Sequence, residues 1–165
     1  MGERVLSQER LERKALSYLQ RFDASVGRLE RVLKRFVRDH TPSEEQAATA
    51  ELWIRELLLR YQASGVLDDH RYAQGLAESL RRRGASRRAM GAKLRAREVP
   101  VAIIDAVLAQ SDAEDELRSA VVALKRRMRR GCPVDEDKAL AALARAGFSY
   151  EVARRALVLA RAAPG

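Results

Sequence analysis

The sequence predicts an all-α protein. Apolar residues recur at helical spacing along most of the chain, only four prolines interrupt it, and no alternating strand pattern of useful length is present. Hydrophobic residues make up 47% of the chain, which is ordinary for a folded protein, and aromatic residues make up 5%. Because most of the apolar side chains are Ala, Leu and Val, we expect thin helix–helix contacts rather than one thick core.

Three helices are predicted in the first part of the chain. The first spans residues 7–20, and Phe22 continues its apolar face. Asp23 breaks this helix, and either Asp23 or Ser25 is placed to cap the second helix. The third helix is predicted to start within residues 41–45, where a capping hydroxyl, a proline and two acids follow one another.

A motif at residues 65–73 closes the third helix and opens the fourth. Gly65 is placed to end a helix, because glycine adopts the left-handed conformation without a Cβ clash. Asp68 or Asp69 can then accept a hydrogen bond from the free N–H groups of the next helix. A metal or acid–base role is the alternative for this pair. Capping is favoured, because adjacent side chains at a helix start diverge and no third carboxylate lies nearby in sequence.

Serine and aspartate residues also mark the later helix starts. The predicted starts are Ser86 for the fifth helix, Ser111 and Asp112 for the seventh, Asp135 for the eighth and Ser149 for the ninth. Gly147 is predicted to end the eighth helix. Met128 is predicted to lie on the inner face of the seventh helix.

The nine predicted helices fall into three groups of three. A single shift of the sequence places Leu94 on Leu143 and Ile103 on Val152, and both copies follow a helix that ends in a basic run and a glycine. We therefore predict three repeats, with an insertion near residues 41–50 in the first. The predicted boundaries are residues 1–64, 65–110 and 111–165. Repeats of this kind form elongated, curved arrays with a concave face.

The chain is strongly basic. Lys and Arg total 32 against 23 for Asp and Glu, so the formal net charge is +9. Arginine greatly outnumbers lysine, and guanidinium groups bind phosphates and carboxylates through paired hydrogen bonds. A GC-rich genome explains part of the arginine excess but not the net charge. The charge therefore indicates a partner that is nucleic acid or an acidic protein surface.

Two segments concentrate the positive charge. The first follows the fourth helix and extends through the fifth, and the second closes the seventh helix. A solvated helical face is the alternative interpretation. However, the first segment meets only one acid, Glu98, just beyond its end, and such self-repulsion favours a polyanionic partner. The predicted binding residues are Arg81, Arg82, Arg83, Arg87, Arg88, Lys93, Arg95 and Arg97 in the first segment, and Arg126, Arg127, Arg129 and Arg130 in the second.

Catalytic and metal-binding patterns are missing from the sequence. It has no phosphate-binding glycine loop, no nucleophilic serine elbow and no His-Glu-x-x-His motif, so we expect no enzyme. Cys132 is the single cysteine, and His40 and His70 have no ligand spacing, so we expect no disulfide, metal site or cofactor. Trp53 shares its face with other apolar residues, which favours a core position over base stacking. Because no leader and no membrane-spanning run is present, we expect a cytoplasmic protein.

The motif that opens the fourth helix resembles a known protein family. The residues that carry the resemblance are Gly65, Leu67, Asp68, Asp69, Arg71, Tyr72, Ala73 and Gly84, followed by Ser86, Leu94, Ile103, Ile104, Val107 and Leu108. Together they are similar to the second-repeat signature of the RecX family, which are small regulators of the bacterial recombinase RecA. The similarity extends from about Ser25 to the C-terminus.

The resemblance implies a fold and a function. RecX proteins consist of three tandem three-helix repeats and bind RecA filaments on single-stranded DNA. They suppress RecA's ATP hydrolysis, strand exchange and co-protease activity in homologous recombination, DNA repair and the SOS response. By this similarity we expect a monomeric, non-membrane negative regulator whose basic residues face DNA phosphates or acidic RecA surfaces. A nucleic-acid-binding protein that works without RecA is the alternative, and a helical adaptor for another acidic protein is a third possibility.

The chain departs from the family pattern at two places. Arg97 and Glu98 stand where a Lys-Gly pair is usual at the end of the fifth helix. The first repeat has Ser-Val-Gly-Arg-Leu at residues 25–29, where Ser-x-x-Glu-Leu is common.

Overall fold

The computed structural model describes residues 6–40, 43–129 and 135–162. All regular structure in these ranges is helical, which confirms the predicted all-α class. The helices are α1 (Gln8–Leu19), α2 (Val26–His40), α3 (Glu44–Ala63), α4 (Asp69–Arg82), α5 (Arg87–Ala96), α6 (Val101–Ala109), α7 (Ala113–Arg129), α8 (Glu136–Ala146) and α9 (Tyr150–Ala162). The boundaries of the three sequence repeats stay a prediction.

The described residues form two compact units. Unit 1 contains the residues up to Tyr72 together with Arg97–Val99. Unit 2 contains Ala73–Ala96 and the residues from Pro100 onward. The division between the units therefore falls within α4 and again just after α5.

Unit 1 is built on α1, α2 and α3, which share one core. Leucine dominates this core, and Trp53 packs at its edge, as the sequence predicts. Ser43 caps α3, because its Oγ accepts a hydrogen bond from the Gln46 N–H. Residues 44–50 of the predicted insertion form the first turns of α3, and residues 41–42 lie outside the described ranges. The buried core residues are Leu6, Leu11, Ala15, Leu29, Leu33, Val37, Ala50, Ile54, Leu57, Leu58, Tyr61 and Leu67.

Phe22 does not lie in this core. The sequence places it on the buried face of the first helix, but α1 ends at Leu19 and the Phe22 ring is 55% exposed. The backbone tightens after the helix, where the Arg21 N–H bonds to the Tyr18 carbonyl three residues back, so α-helical spacing no longer fixes the direction of the Phe22 side chain.

Unit 2 has its main core between α7, α8 and α9. Leu117, Leu124, Leu143 and Leu157 are its largest buried aliphatic residues. Met128, predicted on the inner face, is exposed, because α7 continues for more than a turn beyond its last buried residue. A second apolar layer joins α5 to α6. Its buried side chains are Met90, Leu94, Ile104 and Val107.

Gly84 lets the turn after α4 lie directly on α7. Its φ is +80°, and a Cβ added there would come within 2.7 Å of the Ala123 backbone nitrogen and 2.9 Å of the Ser119 carbonyl oxygen. Only glycine fits this contact. The end of α4 and the start of α5 are therefore fixed against the surface of α7.

No helix in the described part of the chain combines the length and the apolar composition needed to span a bilayer.

Candidate nucleic-acid interface

Asp68 and Asp69 both act as caps, but of different helices. Asp68 Oδ1 accepts a hydrogen bond from the Arg71 N–H at 2.9 Å and caps α4. This bond lowers the pKa of Asp68. Asp69 Oδ1 accepts from the Val26 N–H at 2.8 Å, at the start of α2. Burial raises the pKa of Asp69, and the bond from Val26 opposes that effect.

The predicted cap of the next helix is therefore Asp68, whereas Asp69 bonds to the start of α2 instead of α4. In the described ranges, no three His, Cys, Asp or Glu side chains are grouped so that they could hold a metal ion.

The other signature residues also have structural roles. Gly65 adopts φ +74°, and the Arg71 guanidinium donates to its carbonyl oxygen at 3.1 Å. The Leu67 side chain is buried, and its N–H bonds to the Tyr61 carbonyl at 3.0 Å. Ala73 is fully buried. The signature thus fixes the turn between α3 and α4 rather than presenting chemistry to a ligand.

Two predicted basic runs that are distant in sequence meet in unit 2. Arg126 Nη1 donates a hydrogen bond to the Arg83 carbonyl oxygen at 2.8 Å. Together with the close contact at Gly84, this bond holds the end of α4 against the last turn of α7. We call this surface the end cluster. It consists of Arg82, Arg83, Arg126, Arg127 and Arg129.

The charge of the end cluster is only partly balanced. Arg82 lies 4.0 Å from Glu78, and both side chains are exposed, so this pair is weak. Among the described residues, Arg83, Arg127 and Arg129 have no ion-pair partner. Arg126 is exposed but is oriented by its bond to the backbone of Arg83.

A second group of arginines lines an open groove in unit 2. The groove has a volume of about 620 Å³, with Gly91, Leu108 and Val152 as its apolar part. We call its cations, Arg87, Arg88 and Arg95, the groove cluster. Their side chains are exposed, and within the described ranges none forms an ion pair.

The two acids that line the groove are already engaged. Asp112 Oδ1 accepts from the Asp115 N–H at 2.7 Å. Both carboxylate oxygens of Glu116 accept from the Arg87 backbone N–H, at 2.9 and 3.2 Å, so Glu116 caps α5. Ser86 caps the same helix through the Ala89 N–H at 3.1 Å, as predicted. Glu116 and Arg126 are ten residues apart on α7, which separates the two clusters by about 15 Å of helix.

The remaining predicted binding residues are not part of these clusters. Arg81 is half-buried, and its Nη2 donates to Ser111 Oγ. Lys93 is exposed on α5 but does not line the groove. Arg97 belongs to unit 1. Arg130 lies outside the described residues.

Arg97 faces a tyrosine that sequence reasoning did not connect with it. Burial raises the pKa of Tyr72, and the charge and hydrogen bond of Arg97 oppose that effect. Arg28 makes a similar contact, in which Nε donates to the Tyr18 hydroxyl at 3.4 Å. The signal available in the sequence was the presence of exposed cations beside tyrosines at helix ends, but the pairing itself depends on tertiary packing.

Comparison with known proteins places this arrangement in a family. The model of the second three-helix domain of RecX matches residues 68–108, which hold α4, α5 and α6. The regulatory protein RecX of Myxococcus xanthus is 35% identical over 163 residues, which cover 93% of this chain and 87% of that protein. The chain belongs to the RecX family. The regulatory protein RecX of Streptomyces coelicolor is 36% identical over 105 residues, or 61% of this chain and 56% of that protein.

Solved RecX structures share the fold. The crystal structure of RecX from Lactobacillus salivarius has a TM-score of 0.70 at 15% identity, with 93% of this chain and 96% of that chain covered. A second RecX crystal structure has a TM-score of 0.64 at 22% identity, with 89% and 70% covered. These two likenesses concern the fold alone.

The structure explains one departure from the RecX pattern. Glu98, at the position where glycine is usual, adopts φ +61°, a left-handed conformation that glycine favours. Its backbone and Cβ lie against Gly27, where an added Cβ would come within 2.9 Å of the Glu98 carbonyl oxygen. The Glu98 carboxylate forms an ion pair with Arg31. Because residue 27 is glycine, there is room for the Glu98 side chain at this contact, and position 98 does not need to be glycine.

Proposed function

We propose that this chain is a negative regulator of the RecA recombinase that binds RecA filaments on single-stranded DNA. Bound there, it inhibits ATP hydrolysis, strand exchange and co-protease activity. It acts in the cytoplasm, as a monomer and without a cofactor. Membership of the RecX family supports this proposal, since the relatives are named regulatory proteins.

The observation that carries the proposal is the convergence of two basic runs on one surface of unit 2. Arg82 and Arg83 are more than forty residues from Arg126 in sequence, yet the Arg126–Arg83 bond holds them together. Assembling like charges opposes folding, so the arrangement is best explained by a polyanionic partner. Guanidinium groups that lack internal partners remain available for phosphates or carboxylates.

The two clusters make separate contacts in this proposal. The end cluster contacts DNA phosphates or acidic RecA surfaces, with Arg126 orienting the end of α4. The groove cluster makes a second contact about 15 Å further along α7. Each phosphate that is neutralised steepens the dependence of binding on salt, with a slope of about −0.7 per phosphate for a single strand.

The test is RecA's ATP hydrolysis on single-stranded DNA, titrated with this protein at substoichiometric amounts. Inhibition well below one molecule per RecA is expected of a regulator that acts on the filament. The double variant Arg82→Glu/Arg83→Glu should lose most of the inhibition while its helix content, measured by circular dichroism, is retained.

A matched control is Arg13→Glu/Arg55→Glu in unit 1. It changes the net charge by the same amount and alters two exposed arginines outside both clusters. Inhibition should persist in this variant. Equal loss in both variants would mean that net charge alone matters, and unchanged inhibition by Arg82→Glu/Arg83→Glu would remove the end cluster from the proposal.

A second candidate function is nucleic-acid binding without RecA, because the same unpaired guanidinium groups need no protein partner to bind phosphate. Tight binding to bare DNA at physiological salt, without any effect on RecA, is the outcome that would favour it.

A further inference from the structure

An exposed aromatic ring lies at the end of α1 in unit 1. The Phe22 ring is 55% exposed, and its centroid lies 5.2 Å from that of Tyr18, with an angle of 40° between the ring planes. Tyr18 in turn packs against the core of unit 1. Part of the Phe22 surface is therefore supported by protein, and the rest faces solvent. A supported ring that is left exposed suits stacking against another flat group.

Two guanidinium groups accompany this aromatic pair. Arg28 Nε donates to the Tyr18 hydroxyl, and Arg97 contacts Tyr72. Ser25 joins the two arginines, because its hydroxyl donates to the Arg97 carbonyl and accepts from the Arg28 N–H. The two arginines and their tyrosine partners are therefore neighbours. All of them belong to unit 1.

Most of the acids near this site are engaged by other groups. Glu98 acts on Arg28 but forms its ion pair with Arg31. Asp69 is also nearby, and its Oδ1 accepts from the Val26 N–H at the start of α2. Asp23 acts on Tyr72. The hydrogen bond with Tyr18 raises the pKa of Arg28, which therefore stays charged. Among the described residues, Arg28 and Arg97 thus have Asp23 as the nearby carboxylate that is not engaged by another group.

We infer that this site binds single-stranded nucleic acid, with Phe22 stacking on an unpaired base while Arg28 and Arg97 contact the neighbouring phosphates. An exposed aromatic ring with cations in the same unit matches the alternation of base and phosphate in a single strand. In a duplex the faces of the bases are stacked inside, so the ring has nothing to cover. The base-stacking set is Phe22 with its support Tyr18, and the phosphate set is Arg28 and Arg97.

This inference goes beyond the proposed function and its alternative, because it assigns base stacking to a site in unit 1 and does not use the two clusters of unit 2. It also differs from a general attraction to phosphate. Cations alone bind any polyanion, whereas stacking requires bases.

The experiment measures binding by fluorescence anisotropy, with no RecA present, to two labelled strands of equal length and charge. One is oligo(dT), and the other carries abasic sites at every position, so that the phosphates remain and the bases are gone. The parent protein should bind oligo(dT) at least about five times more tightly than the abasic strand, which is the lower limit for stacking of one base.

Phe22→Leu keeps an apolar side chain and removes the aromatic face, so the preference for oligo(dT) should disappear while binding to the abasic strand is unchanged. Phe22→Tyr restores a ring and should restore the preference. Leu59→Ala removes another exposed apolar side chain of unit 1, far along α3, and should leave the preference intact. Arg97→Ala should weaken binding to both strands and reduce the salt slope by about 0.7.

The outcomes separate this inference from the proposed function. Equal binding of both strands by the parent, or an undiminished preference in Phe22→Leu, overturns the stacking site without affecting the RecA assay. Arg82→Glu/Arg83→Glu should weaken binding to both strands equally and leave their ratio unchanged. If a polyglutamate peptide competes as well as oligo(dT), the site takes acidic protein segments instead, and the inference is wrong.

Discussion

The start of α2 in unit 1 and the start of α5 in unit 2 are both capped by a serine that also bonds to a second segment. They differ in which of the two contacting segments has a glycine at the contact. Ser25 donates to the Arg97 carbonyl and accepts from the Arg28 N–H. Ser86 donates to the Ala146 carbonyl at 2.6 Å and accepts from the Ala89 N–H. Both serines are fully buried. Each therefore caps its own helix and holds the carbonyl end of a second segment.

The two sites differ in which of the two contacting residues, the left-handed residue or the helix residue, carries a side chain. In unit 1 the left-handed residue is Glu98, and the helix residue facing it is Gly27. In unit 2 the left-handed residue is Gly147, and Arg88 on the helix faces it. An added Cβ on Gly147 would come within 2.7 Å of Ser86 Oγ. The space at this contact accepts one side chain, and the sequence can supply it from either segment.

Carboxylates complete both sites in the same way. The first N–H of α2, that of Val26, bonds to Asp69, and the first N–H of α5, that of Arg87, bonds to Glu116. Both acids come from distant parts of the chain, and both satisfy a free donor at a helix start.

Gly147→Ala should disrupt the unit 2 site and have the largest effect on stability of the substitutions described below. The methyl group would be strained at φ +100° and would crowd Ser86, so the free energy of unfolding should fall by about 3 kcal/mol. Urea unfolding followed by circular dichroism measures this. Gly75→Ala is the matched control, because nothing lies within 4 Å of its Cβ position in α4, and it should raise stability by about 1 kcal/mol. A loss in both variants would show that the effect is not local.

Combining Gly27→Ala with Glu98→Gly tests the unit 1 site, and the expected effect on stability is intermediate. Gly27→Ala alone should destabilise the protein, since its methyl group would lie 3.0 Å from the Glu98 Cβ. With glycine at position 98 the backbone can relax, so the same substitution should be less harmful, with a coupling of about 1 kcal/mol in a double-mutant cycle. Additive effects would contradict the idea that the two positions share one space. Arg31→Ala measures the loss of the ion pair separately, because Arg31 is 65% exposed but the Glu98 side chain is only 18% exposed, so its carboxylate would be left mostly buried and unpaired.

Asp69→Asn should have the smallest effect, and that effect should depend on pH. Because the pKa of Asp69 is raised in the folded protein, the folded state binds this proton more tightly than the unfolded state. Its contribution to stability is therefore greatest below the unfolded pKa and falls as the pH rises through the raised pKa. Asn does not titrate, so the variant should gain stability relative to the parent as the pH rises above about 4, the unfolded pKa of Asp. A constant difference in urea unfolding over this range would contradict the raised pKa.

Helix ends were predictable because their chemistry is local. Gly65 and Gly147 end helices and Ser86 and Ser149 begin them, as their side chains dictate. Asp69 is predicted only as an alternative cap of α4, and its bond to Val26 of α2 could not be predicted, since the two residues are joined only by tertiary packing. Phe22 was misplaced because the pattern of apolar residues continues past the point where the helix stops.

At the candidate site, too, local features could be predicted from the sequence, whereas contacts between distant residues could not. The basic runs are visible in the sequence, but their meeting depends on the fit of Gly84 against α7 and on the Arg126–Arg83 bond. Arg81 shows the limit of reading charge alone, because its guanidinium turns inward to Ser111. A run of arginines predicts where charge is concentrated, and packing decides which of them remain available.

Gly27 and Glu98 also constrain the order in which substitutions can accumulate. A lineage that moves from the unit 2 arrangement to the unit 1 arrangement needs two changes, one on the helix and one at the left-handed position. If the left-handed position gains its side chain first, two side chains compete for the space of one. If the helix residue becomes glycine first, both positions are bare, and the intermediate gives up only about 1 kcal/mol of helix propensity. We therefore expect descent through a form with glycine at both positions, so that the glutamate at position 98 is the later change.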